Sequence, residues 1–77
     1  MKAYVLIKIQ SGEIVDAIRQ LRKVPGVVAA DMTFGPYDAV AVVEAKDLNA
    51  LGLTVAAGVQ PVVGVKETLT CLVIDIA

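Results

Sequence analysis

Two short segments hold the side chains best suited to chemistry. One is Gly35-Pro36-Tyr37-Asp38, and the other carries Thr68 and Thr70. A Gly-Pro turn exposes backbone N–H groups that can hold a carboxylate. Asp38, which closes the turn, offers a negative charge to an ammonium group. Thr68 and Thr70 stand two residues apart, so on a strand both hydroxyls point the same way. Such a set suits the two charged ends of a small zwitterion. The same residues also have ordinary roles. Glycine, proline and aspartate set hairpin turns, and threonine favours half-exposed strands. Tyr37 suits an interface where its hydroxyl stays wet.

The rest of the composition removes several classes of chemistry. The sequence has no histidine and one cysteine, Cys71. A disulfide within the chain is excluded, and the common zinc and haem ligand sets are missing. No metal or cofactor is expected. Cys71 shares an alternating pattern with Leu69 and Val73 and reads as a small buried hydrophobe. With no histidine as activating base, it is not expected to act as a nucleophile. Asp38 with Tyr37 is the one candidate acid–base pair, so no catalytic residue is expected and the chain does not read as an enzyme. Seven basic and eight acidic residues give a net charge of −1, with no basic run. The electrostatic footprint of a phosphate-backbone binder is therefore missing. No apolar stretch reaches the roughly 18 residues that a membrane span needs. The N-terminal apolar run is too short for a signal peptide and no cleavage site follows it. A cytoplasmic location is expected, and a free thiol agrees with it.

These segments must be positioned by local elements. Residues 4–9 are rich in β-branched side chains and read as a strand. Ser11-Gly12 breaks it, and either residue can cap the next element. Ile14, Ile18 and Leu21, with Val15 beside them, recur at helical spacing, while Asp16, Arg19, Gln20 and Lys23 face away. Pro25-Gly26 ends that helix. Residues 27–34 and 39–45 read as strands joined by the 35–38 turn, an antiparallel hairpin. Asp47 reads as the N-cap of a second helix with Leu48, Leu51 and Val55 on its stripe, ending near Gly58. Residues 65–76 form the last strand. The order βαββαβ predicts an α+β, ferredoxin-like sandwich. Four antiparallel strands lie in the order 4-1-3-2 with both helices on one face.

Residues 1–77 make one domain, and a chain this short buries only roughly 60% of its unfolded surface. Yet 57% of it is hydrophobic, against about 45–50% in ordinary domains. Residues 4–7 and 39–43 are apolar at every position, whereas a sheet face open to water alternates. Both faces of the sheet therefore call for burial, and the helices cover one. A dimer formed through the other face is expected.

The segment running from Val27 through Ala29, Ala30, Asp31, Met32 and Phe34 to Gly35-Pro36-Tyr37-Asp38 is one distinctive stretch. Gly64-Val65-Lys66-Glu67-Thr68-Leu69-Thr70 is the other. Together they resemble the effector-binding domain of the leucine-responsive regulatory protein/AsnC family of feast-or-famine regulators. That domain is also called the regulation-of-amino-acid-metabolism domain. The glycine–x–tyrosine–aspartate turn and the glycine–valine–x–x–threonine–x–threonine strand are its recurring marks, and the likeness spans the chain. Full-length members carry an N-terminal helix-turn-helix domain, and none is expected here, because the first strand is read as beginning close to Met1. The chain thus resembles a stand-alone sensing domain with no direct nucleic-acid binding.

The resemblance implies a dimer that assembles further, to an octamer or a similar ring, with amino-acid-like effectors at the contacts between dimers. It implies Gly35, Pro36, Tyr37, Asp38, Thr68 and Thr70 as ligand-binding residues. A full-length regulator of the same family is a further implied partner. In a 4-1-3-2 sheet, strand 4 and the strand-2 hairpin lie at opposite edges, so a site using both must be built across subunits. Three other readings compete: a small dimeric ferredoxin-like enzyme, a ligand-free assembly protein, and an amino-acid-binding domain of the ACT kind. ACT sites centre on a glycine after the first strand, here near Gly12, and the strand-4 threonines point away from that reading.

Overall fold

A computed structural model of the chain describes residues 1–76. Strand β1 (Lys2–Ile9) occupies a central position, paired antiparallel with β3 (Ala39–Glu44) on one side and β4 (Val65–Leu72) on the other. Strand β2 (Val27–Met32) pairs antiparallel with β3. The sheet order β2-β3-β1-β4 is the predicted 4-1-3-2 read from the other edge. Helix α1 (Ile14–Leu21) links β1 to β2. Helix α2 (Leu48–Leu53) continues into a π-helical turn, Thr54–Val59, before β4.

Alternation along the strands decides which residues enter the core. Ala3, Val5, Ile7 and Ile9 of β1 are buried, as are Ala39, Ala41 and Val43 of β3. Ala17, Ile18 and Leu21 of α1 close over them, with Leu51, Val55 and Val59 from the second helical segment. Both helices thus cover one sheet face. Each fully buried valine, leucine or isoleucine among them, such as Val5, Ile7 or Leu21, contributes about 1.5–3 kcal/mol.

The element ends show where local chemistry overrode the pattern. Helix α1 has Glu13 at its N-cap position without a side-chain cap. Neither Ser11 nor Gly12 caps it. Gly12 instead takes a φ of 89° to turn the chain out of β1. Asp47 does cap α2, accepting the Ala50 N–H at 2.7 Å. The second helix ends in π form, with the Gln60 N–H reaching Val55 O at 2.9 Å. Gly64 adopts a φ of 96°, and a Cβ there would lie 2.7 Å from Glu13 Cβ. Only glycine lets the approach to β4 pass that close to α1.

Three strand ends differ from the sequence reading. Strand β2 stops at Met32 rather than at residue 34, because Thr33 turns to bond the far side of the 35–38 turn. Strand β3 stops at Glu44 rather than at residue 45. Strand β4 stops at Leu72 rather than at residue 76, because its neighbour β1 begins at Lys2. The Val73 N–H to Lys2 O bond, 2.9 Å, continues the pairing one step past that end. Cys71 also departs from expectation. It is exposed, standing opposite Tyr4 on the uncovered face of an edge strand. Alternation correctly put Cys71 on one face with Leu69, but it is the face without helices.

Candidate functional site

The 35–38 turn is held at both ends by hydrogen bonds. The Thr33 N–H donates to Asp38 O at 3.0 Å, and the Thr33 hydroxyl donates to Tyr37 O at 2.7 Å. The Asp38 N–H donates to Ile7 O at 2.9 Å. Its carboxylate Oδ2 accepts the Ile9 N–H at 2.7 Å. Strand β3 begins only at Ala39, so it offers Ile9 no backbone carbonyl, and the Asp38 side chain takes that place. The turn is thereby fastened to the end of β1. Gly35 is exposed with nothing within 4 Å of a Cβ position, and Pro36 is exposed beside it.

Tyr37 is half-buried, with Lys8 Nζ 5.6 Å from its ring centroid, within the reach of a cation–π contact. Lys8 also meets Glu67 Oε2 at 3.8 Å across the β1–β4 pair. The Tyr37 contact was not legible in the sequence, since only the folded turn brings it there.

Thr68 and Thr70 share a face, as their spacing requires. The register sets them opposite Ile7 and Val5, both buried beneath the helices. They therefore stand on the helix side of the sheet, at the β4 edge. Thr68 is half-buried and its Oγ1 accepts from Gln60 Nε2 at 3.2 Å; Thr70 is exposed. Tyr37, through Lys8 and Glu67, belongs to the opposite face. The turn and the threonines are thus not brought together within one chain. Strand β1 lies between β3 and β4, so two strand spacings of about 4.8 Å each separate them.

The uncovered sheet face is apolar at its centre. Tyr4 and Leu6 of β1 stand there with Val40 and Val42 of β3 and Leu69 and Cys71 of β4. Tyr4 is 42% exposed and Leu69 48%. Lys2 and Glu44 face each other at one end of this strip, and Lys8 and Glu67 at the other. Among the described residues, no group of three or more His, Cys, Asp or Glu side chains is placed to hold a metal ion. No helix among the described residues is long and apolar enough to cross a membrane.

Comparison with known proteins follows the same lines. A family model described as the Lrp/AsnC ligand binding domain matches residues 2–77. No curated protein sequence gives a significant match. Among solved structures, TTHA0845 from Thermus thermophilus is 30% identical, with a TM-score of 0.91 over 99% of this chain and 95% of that one. AsnC of E. coli superposes with a TM-score of 0.89 at 21% identity, over 96% of this chain and 50% of its own. The transcriptional regulator NMB0573 of Neisseria meningitidis, in complex with L-Met, gives 0.84 at 19% identity, over 97% of this chain and 50% of its own. At such identities the last two show the fold, and this chain spans half the length of each.

Proposed function

The chain belongs to the Lrp/AsnC ligand binding domain family, and from that premise we propose that it senses an amino-acid-like effector at contacts between copies of itself. Two chains pair through the open sheet face, and pairs assemble further into an octamer or a similar ring. The effector lies where the 35–38 turn of one copy meets the Thr68–Thr70 edge of another. The observation that carries this reading is the fastened turn. Asp38 and Thr33 hold the exposed Gly35 and Pro36 in place before any ligand arrives, so little ordering cost falls on binding. Backbone N–H groups of the turn receive the carboxylate. The Asp38 charge faces the ammonium group. Threonine hydroxyls from the neighbouring copy complete the polar contacts. That the Neisseria regulator was solved with L-Met supports the ligand class.

The same reading makes the protein a non-enzymatic, cytoplasmic module. It acts on gene expression through mixed assembly with a full-length regulator of its family rather than by touching nucleic acid. A ligand-free assembly role is the second reading, and one observation favours it: Asp38 Oδ2 already has a partner in the Ile9 N–H. Native mass spectrometry of the purified protein, with and without the twenty amino acids, separates the two. Bound small mass, or a shift of assembly state on addition, is the expected result. A single ligand-free assembly under every condition would leave the structural role standing instead.

A further inference from the structure

We infer that the effector is a dicarboxylic amino acid such as glutamate, and that a cleft between the π-helical turn and β4 receives its side-chain carboxylate. The inference rests on the proposed function for the place of the effector, and it names the effector's chemical class. Gln60, Val65, Lys66, Glu67 and Thr68 line this cleft, whose volume is about 490 Å³, within the range of small-ligand pockets. All but Val65 are polar or charged, and Val65 packs against the core as the floor.

Two irregularities of the backbone bring these side chains together. The π-helical turn ends against Gln60, whose N–H reaches Val55 O at 2.9 Å. From there the Gln60 side chain donates through Nε2 to Thr68 Oγ1 at 3.2 Å. The other irregularity is a register shift in β4. Glu67 stands opposite Lys8, but Val65 and not Lys66 stands opposite the buried Ile9. Val65 thereby takes the core position, and Lys66 is the extra residue of a bulge. Bulges at sheet edges re-aim a side chain, here to the rim of the cleft beside Thr68. Single-turn π segments likewise gather at functional sites.

The cleft is rich in donors. Thr68 Oγ1 accepts from Gln60, so the hydroxyl proton is free to donate outward. That bond uses one N–H of the Gln60 amide and leaves the second. Lys66 carries a positive charge, and no ion pair engages it among the described residues. The other charge of the cleft, Glu67, is met by Lys8 Nζ at 3.8 Å across the sheet, which offsets its repulsion of an anion. Two neutral donors and an ammonium together suit a carboxylate. Thr70 lies two residues further along the strand, about 6.7 Å away. That spacing leaves Thr70 to the α-carbon end of the molecule and sets Thr68 and Lys66 at its side-chain end. An apolar side chain placed there, with a second copy closing over it, would leave all three donors unpaired.

Calorimetry of the wild type with L-glutamate, L-glutamine, L-leucine and inorganic phosphate tests this, alongside Lys66→Met and Gln60→Leu. Both side chains are exposed, so neither variant should change the melting temperature. Glutamate is expected to bind more tightly than glutamine, and glutamine more tightly than leucine. Lys66→Met should weaken glutamate on the order of 10- to 100-fold, the worth of a charge-assisted hydrogen bond, and glutamine far less. Gln60→Leu should weaken both by about 3- to 10-fold. Leucine or phosphate bound as tightly as glutamate overturns the inference, as does a Lys66→Met protein that keeps the glutamate preference. Leucine binding would still uphold the effector reading. Glutamate binding that needs Lys66 but is untouched by Asp38→Asn would uphold the cleft and remove the turn from the site. A wild type that binds no amino acid overturns both.

Discussion

Leu6 and Ile7 are adjacent on β1 and nearly equal in size and polarity, yet they meet different surroundings. Ile7 is fully buried beneath α1 and the second helical segment, while Leu6 stands half-buried on a face that no helix covers. The same contrast runs along β3, where Ala39, Ala41 and Val43 are buried and Val40 and Val42 only partly so. The two faces of one sheet are thus built from similar residues, and the chain supplies a cover for one. The difference teaches that apolar patterning states how much surface must leave water, and that topology alone states which part the chain buries itself. The remainder calls for a second chain. An interface of the usual size removes about 800 Å² from each partner, and at about 25 cal/mol per Å² of apolar area such a surface is worth several kcal/mol even after association costs.

The largest expected effect comes from the covered face. Ile7→Ala removes a fully buried side chain and is expected to lower stability by about 2–5 kcal/mol. Denaturant unfolding at several protein concentrations should show the loss at each of them. Leu6→Glu on the open face is expected to keep the fold by circular dichroism and to separate the paired chains, because a charge at the centre of an apolar interface is left unpaired. A paired Leu6→Glu protein would break the comparison. Asp38→Ala removes the acceptor of the Ile9 N–H and should cost about 1–3 kcal/mol. Amide exchange at Ile9 should accelerate with it. Thr68→Val leaves the partly exposed β4 edge otherwise intact, so stability should move by less than about 0.5 kcal/mol. Effector affinity should fall about 3- to 10-fold in calorimetry, the worth of one hydrogen bond. A small effect, on stability alone, is also expected for Lys8→Met, which removes an ion pair to Glu67 between two half-exposed side chains. Its stability should change by no more than about 1 kcal/mol, and less at high salt.

Much of the fold was legible in the sequence because local chemistry and patterning agree. The βαββαβ order, the 4-1-3-2 sheet, the Asp47 cap and the β2–β3 hairpin follow from alternation, helical spacing and turn residues. What failed to show depends on register. Cys71 looked buried because its neighbours are apolar, yet its pairing with Tyr4 puts it on the uncovered face. The last strand looked longer because residues 73–76 are mostly apolar, but β1 is too short to pair with them. The candidate site was legible as two motifs and not as a geometry. Asp38 reads as a charge for a ligand, whereas its structural task at Ile9 appears only when β1 and β3 are set side by side. Lys8 over the Tyr37 ring depends on the same placement.

The separation of the turn and the threonines within one chain makes the central claim directly testable by mixing. Asp38→Asn keeps an oxygen to accept the Ile9 N–H and removes the charge. Thr68→Val/Thr70→Val removes both hydroxyls. Each protein alone should bind the effector amino acid poorly. The two, unfolded together and refolded as a mixture, should regain binding in calorimetry, because some contacts then join an intact turn from one chain to intact threonines from another. A mixture that binds no better than its components would contradict a site shared between copies.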